Sequence, residues 1–348
     1  MDYFLSINLE LTLRITLKDI AKDSGVSIAT VSRALARTER RYTTTEEKIY
    51  RSARKLGYQF IGNDALNDEL RIALVTEIHE GEFYSSLFNG FYKASEKTNS
   101  EIIFVNLAKH SSDPVQYIIE LTKKYSGICL FLPNLDKLDY ARLKYEVGQY
   151  PIVSLTPRKN PKIDTISFDS YSGGYMVAKH FQELGYTNLG YISGPSTAMD
   201  ATFRKNGFID HINEIDDLRL VWSHKGDFTN ACGKNAFNNF KNNPSTKEMK
   251  NIAIFGCNDH TCFGFIKAAI ENKFSIPEDF IIAGYDNLSF CETITPELTS
   301  ISTDFFELAK KTIRIVENMI TEDIGSLGHI TMIPVKIIQR NSTASSLH

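Results

Sequence analysis

Residues 16–35, TLKDIAKDSGVSIATVSRAL, contain two short segments of helical apolar periodicity on either side of one glycine. Thr16, with an aspartate three residues later, is a typical helix start, because each side chain can bond a free backbone amide of the first turn. Gly25 can adopt the left-handed conformation that ends a helix, and Ser27 can cap a second one. The stretch therefore predicts two short helices joined by a tight turn, a helix-turn-helix.

A third helix is predicted from Thr43 or Thr44 to Leu56. The sequence TTTEE at its start offers hydroxyl caps followed by acidic side chains, as helix N-termini prefer. Ile49 and Leu56 then lie on one apolar side of the helix. Three helices of this length can enclose one small core, which predicts an all-α headpiece at the N-terminal end of the chain.

The charge distribution separates this headpiece from the rest of the chain. The whole protein has a formal net charge of −3, but Arg14 to Tyr58 holds eleven basic and five acidic side chains, a net charge of +6. Residues 59–348 have a net charge of −7. A basic headpiece on an acidic body favours contact with nucleic acid, although an ordinary solvated helix can carry as much charge.

The second helix is the element that would read DNA. In a helix-turn-helix, the N-terminal residues of this helix meet base edges in the major groove. Arg33 can bond guanine through two nitrogens, and Ile28 and Ala29 can contact thymine methyl groups. A three-helix packing module that binds no DNA fits the same pattern, so the pattern alone leaves both interpretations open.

The same twenty residues, followed by KLGY at 55–58, closely resemble the headpiece of the LacI/GalR family of bacterial transcription regulators. The resemblance implies a homodimer, with a tetramer left open, that reads a palindromic operator under the control of a small ligand, usually a sugar. It implies that Ile28, Ala29 and Arg33 read bases. The other DNA contacts that it implies are Thr16, Lys18, Ser27, Thr30, Ser32, Tyr42 and Thr43.

From Arg71 onward, short apolar runs alternate with amphipathic stretches. Apolar strands between helices predict parallel sheets that are covered on both faces. About ten such units are too many for one ordinary sheet, so we expect an α/β body of two lobes. The expected organisation is an N-terminal extension (1–14), a headpiece (15–58), a short hinge (59–70), lobe 1 (about 71–157 and 287–320), lobe 2 (about 163–286 and 325–343) and a tail (344–348).

The ends of the predicted strands carry the candidate ligand-binding residues. Ligands of open α/β sheets bind beyond the carboxyl ends of the strands. Sugars need planar bidentate partners for neighbouring hydroxyls and an aromatic face for their C–H side. The candidates at strand ends are Thr156, Asp200, Arg204, Phe228, Asn258 and Asp286. Each has a structural alternative, since an aspartate in YDN is a common turn residue and a lone phenylalanine usually belongs to a core.

The resemblance extends over this body. The matching segments are FDSYSGGYMVAKHFQELG, FRKNGF, CNDHTCFGFIKAAIE and IIAGYDN. It implies the periplasmic-binding-protein type I fold, effector contacts from Arg204, Asn258 and Asp286, and a sugar stacked on Phe228. The polar contact of sugar-responsive members would come from Asp200. Galactose or a β-galactoside is the first expected effector, and the expected function is repression of carbohydrate-utilisation genes.

Other functional classes fit the sequence less well. A sugar-binding receptor outside the cell conflicts with the basic headpiece and with an N-terminus that has no export signal. An enzyme is not expected, because there is no phosphate loop, no metal-spaced histidine cluster and no GxSxG. No cofactor, metal or membrane span is predicted, and five scattered cysteines favour buried thiols in the cytoplasm. A cytoplasmic sugar sensor without an operator role remains the alternative.

The linker departs from the family pattern. Relatives have Pro-Asn, then Ala-Arg and a leucine on a hinge helix that enters the minor groove. In this chain Phe60 and Ile61 replace Pro-Asn, Asp64 replaces the alanine, and the candidate hinge leucine is Leu66, one place early. Acidic side chains in this segment repel phosphates. We therefore predict weaker hinge-helix formation and less operator bending than in typical relatives.

Overall fold

The computed structural model describes residues 15–35, 43–56, 70–77, 81–98, 100–107, 112–247 and 251–344. The chain divides after Glu69 into two compact units, the headpiece and the body. Leu70, expected at the end of the hinge, already begins the first strand of the body.

The headpiece contains the three expected helices. They are α1 (Leu17–Ser24), α2 (Ile28–Leu35) and α3 (Thr44–Leu56). Their shared core is apolar and buried, and it is formed by Ile20, Ala21, Val31, Ala34, Ile49 and Ala53. The predicted helix-turn-helix with a third supporting helix is confirmed.

The helix ends follow the local signals of the sequence. The backbone amide and hydroxyl of Thr16 both donate to the Asp19 carboxylate, at 2.8 and 2.6 Å, where α1 begins. Thr43 makes the same two bonds to Glu46 at the start of α3, at 2.7 and 2.9 Å. Gly25 has φ 69°, the left-handed conformation that ends α1. These reciprocal bonds satisfy amides that have no partner within the helix.

The body alternates strands and helices in chain order. The strands are β1 (Leu70–Thr76), β2 (Ser100–Asn106), β3 (Gly127–Phe131), β4 (Ile152–Ser154), β5 (Asp164–Phe168), β6 (Asn188–Ile192), β7 (Arg219–His224), β8 (Ile252–Gly256), β9 (Phe280–Asp286), β10 (Thr299–Ser302), β11 (Ile330–Ile333) and β12 (Lys336–Ile338). The helices are α4 (Glu82–Ser95), α5 (Pro114–Leu121), α6 (Lys137–Val147), α7 (Ser170–Glu183), α8 (Met199–Glu214), α9 (Asn230–Asn242), α10 (Pro244–Lys247), α11 (Asp259–Glu271) and α12 (Phe305–Glu322).

Two six-stranded sheets organise the body into two lobes. Lobe 1 has the order β11-β5-β4-β3-β1-β2, and lobe 2 has the order β12-β10-β9-β8-β6-β7. Strand β8 illustrates why such strands are apolar throughout. Its Ile252 and Ile254 pack with α9 and α11, whereas Ala253 and Phe255 pack with α7 and α8 on the other face. All five cysteines are buried and free, as expected.

The expected lobe limits are wrong for three strands. Strand β5 was expected in lobe 2, but it pairs in parallel with β4 and belongs to lobe 1. Strand β10 pairs with β9 in lobe 2, and β11 pairs with β5 in lobe 1, each opposite to its expected lobe. The reason is that backbone hydrogen bonds between distant segments decide which sheet a strand joins, and no local pattern encodes that choice.

The segment ITMIPVKII (330–338) crosses between the lobes, as expected, but as two strands. Strand β11 closes one edge of lobe 1, and β12 runs antiparallel to β10 at one edge of lobe 2. Pro334 stands between them and cannot donate a backbone hydrogen bond to either sheet. The chain therefore passes between the lobes three times, after β5, after β10 and after β11.

Candidate functional site

One face of α2 in the headpiece is exposed, and the opposite face is buried. The exposed side chains are Ile28, Ala29, Ser32 and Arg33, with Ile28 47% accessible. Val31 and Ala34 on the other side lie in the three-helix core. The guanidinium Nε of Arg33 donates only to the backbone carbonyl of Ala29, at 3.3 Å. This face combines a cation with small and apolar groups, which is the chemistry of base edges in a major groove.

The remaining predicted DNA contacts surround this face or lie at helix starts. Lys18 is exposed on α1, and the hydroxyls of Ser27 and Thr30 bond each other at 2.8 Å where α2 begins. Thr16 and Thr43 cap α1 and α3, so their hydroxyls already take part in local bonds. The predicted contact Tyr42 and the hinge candidate Leu66 lie outside the described residues.

Arg204 is the centre of a buried polar group in lobe 2. Its side chain extends from α8, and the residue is 5% accessible. One terminal nitrogen donates to the carbonyl of Cys257 at 2.6 Å, and the other donates to Asp286 Oδ1 at 3.3 Å. The guanidinium carbon lies 3.6 Å from the ring centroid of Tyr285 and 6.0 Å from that of Phe228. Arg204 Nε has no hydrogen-bond partner among the described residues, so one donor stays available.

Two carboxyl groups beside Arg204 have perturbed acidity. Burial raises the pKa of Asp286, against the opposing effect of Arg204. Burial also raises the pKa of Asp259 to about 6, although Asp259 accepts bonds from the Ser300 hydroxyl at 2.6 Å and the Leu288 amide at 2.9 Å. Burial disfavours the charge of Arg204, but Asp286 and its other neighbours raise the pKa of the guanidinium above its usual value. The group therefore holds a permanent cation among carboxyls that resist ionisation.

Asn258 connects the aromatic candidate to this group. Its side-chain oxygen accepts from the Thr261 amide at 3.1 Å and caps α11, while its side-chain nitrogen donates to the Phe228 carbonyl at 3.0 Å. Phe228 has φ 72°, a left-handed conformation that is unfavourable for a residue with a side chain. Asn258 thus holds the backbone of Phe228 while it begins a helix, and both roles are structural.

The last two candidates belong to different lobes. Asp200, in the first turn of α8, accepts a bond from the Ser170 hydroxyl at 3.4 Å, and burial raises its pKa. Thr156 follows β4 in lobe 1, is 1% accessible and donates its backbone amide to the Ser154 hydroxyl. Arg204 bonds Asp286 and faces the ring of Phe228, and Phe228 accepts a hydrogen bond from Asn258 through its backbone carbonyl. Thr156 makes no contact with this group among the described residues. Its neighbour Leu155 lines a cavity between the lobes.

That cavity has a volume of about 30 Å³, which leaves room for about one or two water molecules. Asp200 and Arg204 supply its polar wall from lobe 2. Aromatic rings supply much of the rest, and these are Phe83, Phe131, Phe168 and Phe305. Phe305 contacts both Phe83 and Phe168, with ring centroids 5.3 and 5.4 Å apart. The lobes therefore meet over a charged group on one side and a set of aromatic faces on the other.

Two comparisons with known proteins agree with this organisation. Residues 16–59 match the family profile "Bacterial regulatory proteins, lacI family", and residues 178–343 match "Periplasmic binding protein-like domain". The HTH-type transcriptional repressor PurR of Mannheimia succiniciproducens is 25% identical over 331 residues, covering 94% of this chain and 98% of its own length. The chain belongs to the LacI/GalR family of bacterial transcription regulators.

Solved structures of LacI-type regulators share the whole fold. The lac repressor dimer bound to operator and the anti-inducer ONPF superimposes with a TM-score of 0.71 at 20% identity, over 94% of this chain and 99% of that chain. The complex of the transcriptional regulator CelR with cellobiose gives a TM-score of 0.67 at 20% identity, over 94% of this chain and 100% of that chain. The headpiece and two-lobed body of this LacI/GalR chain are thus both represented in one known architecture.

Several residues of this LacI/GalR site were not predicted from the sequence. They are Tyr285, Asp259 and the four phenylalanines of the cavity. Each phenylalanine lies at or just after a strand end, at the C-terminal residue of β3 or β5 or in the first turn of α4 or α12. The strand-end argument that selected the polar candidates could have selected them too. Within the described ranges, no helix is long and apolar enough to cross a membrane, and no cluster of His, Cys, Asp or Glu could hold a metal ion.

Proposed function

We propose that this LacI/GalR chain is a repressor that binds operator DNA through α2 and changes its operator affinity when a small ligand binds between the lobes. The observation that carries the DNA-binding part is the exposed face of α2, on which Arg33 lies beside Ile28 and Ala29 above a buried core. A cytoplasmic location follows from this function. The full-length similarity to a named repressor supports the same conclusion.

The proposed ligand is a sugar that regulates carbohydrate-utilisation genes. The Arg204–Asp286 pair, with Asp200 and Asn258 nearby, offers planar donors and acceptors for neighbouring hydroxyl groups. Phe228 and the lobe 1 phenylalanines offer flat apolar faces for the C–H side of a pyranose ring. Cellobiose in the CelR complex supports a carbohydrate in this architecture, and galactose and β-galactosides are the first ligands to try.

The size of the interlobe cavity suggests how the ligand acts. A space of about 30 Å³ admits no sugar, so binding requires the lobes or the aromatic side chains to move. Glu82 of lobe 1 accepts a bond from the Ser289 amide of lobe 2 at 2.6 Å, which such a movement would break. Ligand affinity must then differ between the arrangements of the body that bind DNA well and poorly, because linkage requires it.

A homodimer is the proposed form on a palindromic operator. At the β2 edge of lobe 1, Tyr92 is 59% accessible and Phe104 is 41% accessible. Phe104 lies against Phe88, with ring centroids 4.5 Å apart, so a hydrophobic patch spans α4 and β2. Burial of this patch between two copies would place two headpieces on two half-sites.

The experiment is operator selection from a random DNA library, followed by fluorescence anisotropy of the selected site against galactose, lactose, cellobiose and ribose. We expect one ligand to change the operator Kd by about tenfold or more, within the usual range of allosteric coupling. Asp286→Ala should bind the operator normally and lose the ligand response. Recovery of no preferred DNA sequence would contradict the repressor and favour a sensor without an operator role, and a normal response of Asp286→Ala would remove Asp286 from the site.

A further inference from the structure

A second and larger cavity lies on lobe 2, outside the interlobe site. Its volume is about 540 Å³, and it is formed by the loop after β6, one side of α8 and the loop after β7. The backbone amide of Ser193 donates to the His224 carbonyl at 2.9 Å, and the amide of Gly226 donates to the Ser193 hydroxyl at 3.4 Å. These bonds join the two loops and give the cavity a fixed floor.

The polar lining of this cavity is entirely cationic or neutral. Lys205 on α8 and Lys225 after β7 supply two ammonium groups. The ammonium group of neither lysine forms a hydrogen bond or ion pair with another described residue. The other polar side chains that line the cavity are Ser193, Ser196, Thr197, Thr202 and Asn206. A wall of ammonium and hydroxyl groups without a carboxylate is suited to an anion that has several oxygen acceptors.

The acidic side chains near the two lysines form hydrogen bonds with other residues. Asp227 follows the loop but accepts bonds from the amide and the hydroxyl of Thr229, at 3.0 and 2.6 Å. Asp200 lines the interlobe cavity and bonds Ser170. Among the described residues, neither carboxylate forms an ion pair with Lys205 or Lys225.

The start of α8 adds to the positive potential. Its N-cap is Ala198, whose methyl side chain cannot accept a hydrogen bond from the first turn. Thr197 and Ala201, on either side of this helix start, both line the cavity. A helix of 16 residues places a partial positive charge at its N-terminus, and here that charge adjoins the two lysines.

We propose that this cavity binds the phosphoryl group of a small phosphate ester, as a second ligand site distinct from the interlobe one. A phosphate monoester carries close to two negative charges at neutral pH and three terminal oxygens, which match two ammonium groups and several hydroxyl donors. The cavity volume also exceeds what inorganic phosphate needs, so it leaves space for the organic part. The ring of Phe228 lies against Gly194 in the cavity wall, so the second site adjoins the proposed sugar site.

The test uses the full chain and glycerol 3-phosphate, with glycerol and inorganic phosphate as companion ligands. Isothermal titration calorimetry is carried out on the wild type, on Lys205→Ala/Lys225→Ala and on the matched control Lys234→Ala/Lys336→Ala. The control removes two exposed lysines of lobe 2 that do not line the cavity. Each of the two variants loses two lysine charges. A difference between them therefore reports the cavity site and not the general effect of the net charge.

We expect glycerol 3-phosphate to bind the wild type and the control alike, to bind more tightly than inorganic phosphate, and to weaken by about tenfold or more in the cavity variant. Glycerol should show no lysine-dependent binding. Equal binding by all three proteins, or none to the wild type at millimolar concentrations, would overturn the proposal. Inorganic phosphate binding as tightly as the ester would also overturn it. None of these outcomes depends on operator binding, so the repressor function is tested separately.

Discussion

The exposed face of α2, which we propose reads bases, and the buried group around Arg204, which we propose binds the ligand, differ in how their arginines are held. Arg33 is exposed, and among the described residues its side chain bonds only the carbonyl of Ala29, one turn earlier on its own helix. Arg204 is buried and held by Cys257 and Asp286. An exposed side chain such as Arg33 can contribute to recognition without supporting the fold. For the buried Arg204, ligand recognition and protein stability depend on the same bonds, so a substitution should change both.

The largest effect expected from this contrast is on the stability of the body. Arg204→Ala leaves Asp286 buried without its cation and should lower the free energy of unfolding by about 3 kcal/mol. Arg33→Ala, the matched exposed arginine, should change it by no more than about 0.5 kcal/mol. Urea unfolding followed by the fluorescence of Trp222, the single tryptophan, measures the body, and circular dichroism of the three headpiece helices measures the Arg33 variant. Similar losses in the two would mean that burial does not separate these arginines.

A smaller effect is expected on DNA binding. Arg33→Ala should weaken operator binding by about 1–3 kcal/mol and relax the preference at one base pair. Lys18→Ala, a charge loss on the exposed side of α1, should weaken all sequences about equally. Anisotropy titrations at one salt concentration, with the operator and its single-base variants, distinguish these patterns. Unchanged base discrimination in Arg33→Ala would remove Arg33 from base reading.

The pH dependence of stability tests the buried acids of the ligand group. Burial raises the pKa of Asp259 from its usual value of 3.8 to about 6, so the folded protein binds more protons than the unfolded chain between these values. The contribution of Asp259 to stability is therefore complete below pH 4 and is lost as the pH rises through about 6, with a slope of at most about 1.4 kcal/mol per pH unit.

The variant Asp259→Asn removes this titration. The difference in unfolding free energy between wild type and Asp259→Asn should fall from pH 4 to pH 6 and then become constant. Urea unfolding at half-unit pH intervals measures it, and the titrating groups remote from Asp259 cancel in the difference. Parallel curves for the two proteins would show that Asp259 has the same pKa in the folded and the unfolded chain and would contradict the prediction.

The smallest effect concerns a residue with a positioning role. Asn258→Ala removes the cap of α11 and should cost about 1 kcal/mol of stability. Thr229→Ala is the matched control, because Thr229 caps α9 by accepting from the Cys232 amide at 3.1 Å. Only Asn258 also holds the Phe228 carbonyl, so only its variant should weaken the binding of the ligand found in the operator screen. Equal ligand affinity in both variants would show that Asn258 acts only as the cap of α11 and does not position Phe228 for the ligand.

Local signals made the individual elements of the molecule predictable. The cap of α1 at Thr16, its end at Gly25 and the continuous apolar runs of the parallel strands all act within a few residues, and the structure follows them. The sheet membership of β5, β10 and β11 was not predictable in this way. It depends on pairing between segments more than 100 residues apart in the case of β5 and β11.

The candidate site shows the same limit. Arg204, Phe228, Asn258 and Asp286 could be selected because polar or aromatic residues after a buried strand are distinctive. The strand-end rule could also have selected the cavity phenylalanines, but Phe131 and Phe168 end apolar strands, where a phenylalanine is usually an ordinary core residue. Thr156 also satisfies the strand-end rule; its backbone amide bonds the Ser154 hydroxyl, and its role as a ligand contact stays a prediction.

The division of residues 330–338 into β11 and β12 has a consequence for biosynthesis. Each lobe receives an edge strand from this segment, so the sheet of lobe 1 is incomplete until residue 333 has left the ribosome and the sheet of lobe 2 until residue 338. The three helices of the headpiece lie within residues 17–56 and can fold early in translation. A nascent chain therefore possesses its DNA-reading surface long before it possesses a body able to control that surface. Synthesis of residue 338, rather than synthesis of the headpiece, is therefore the earliest point at which the body can control DNA binding.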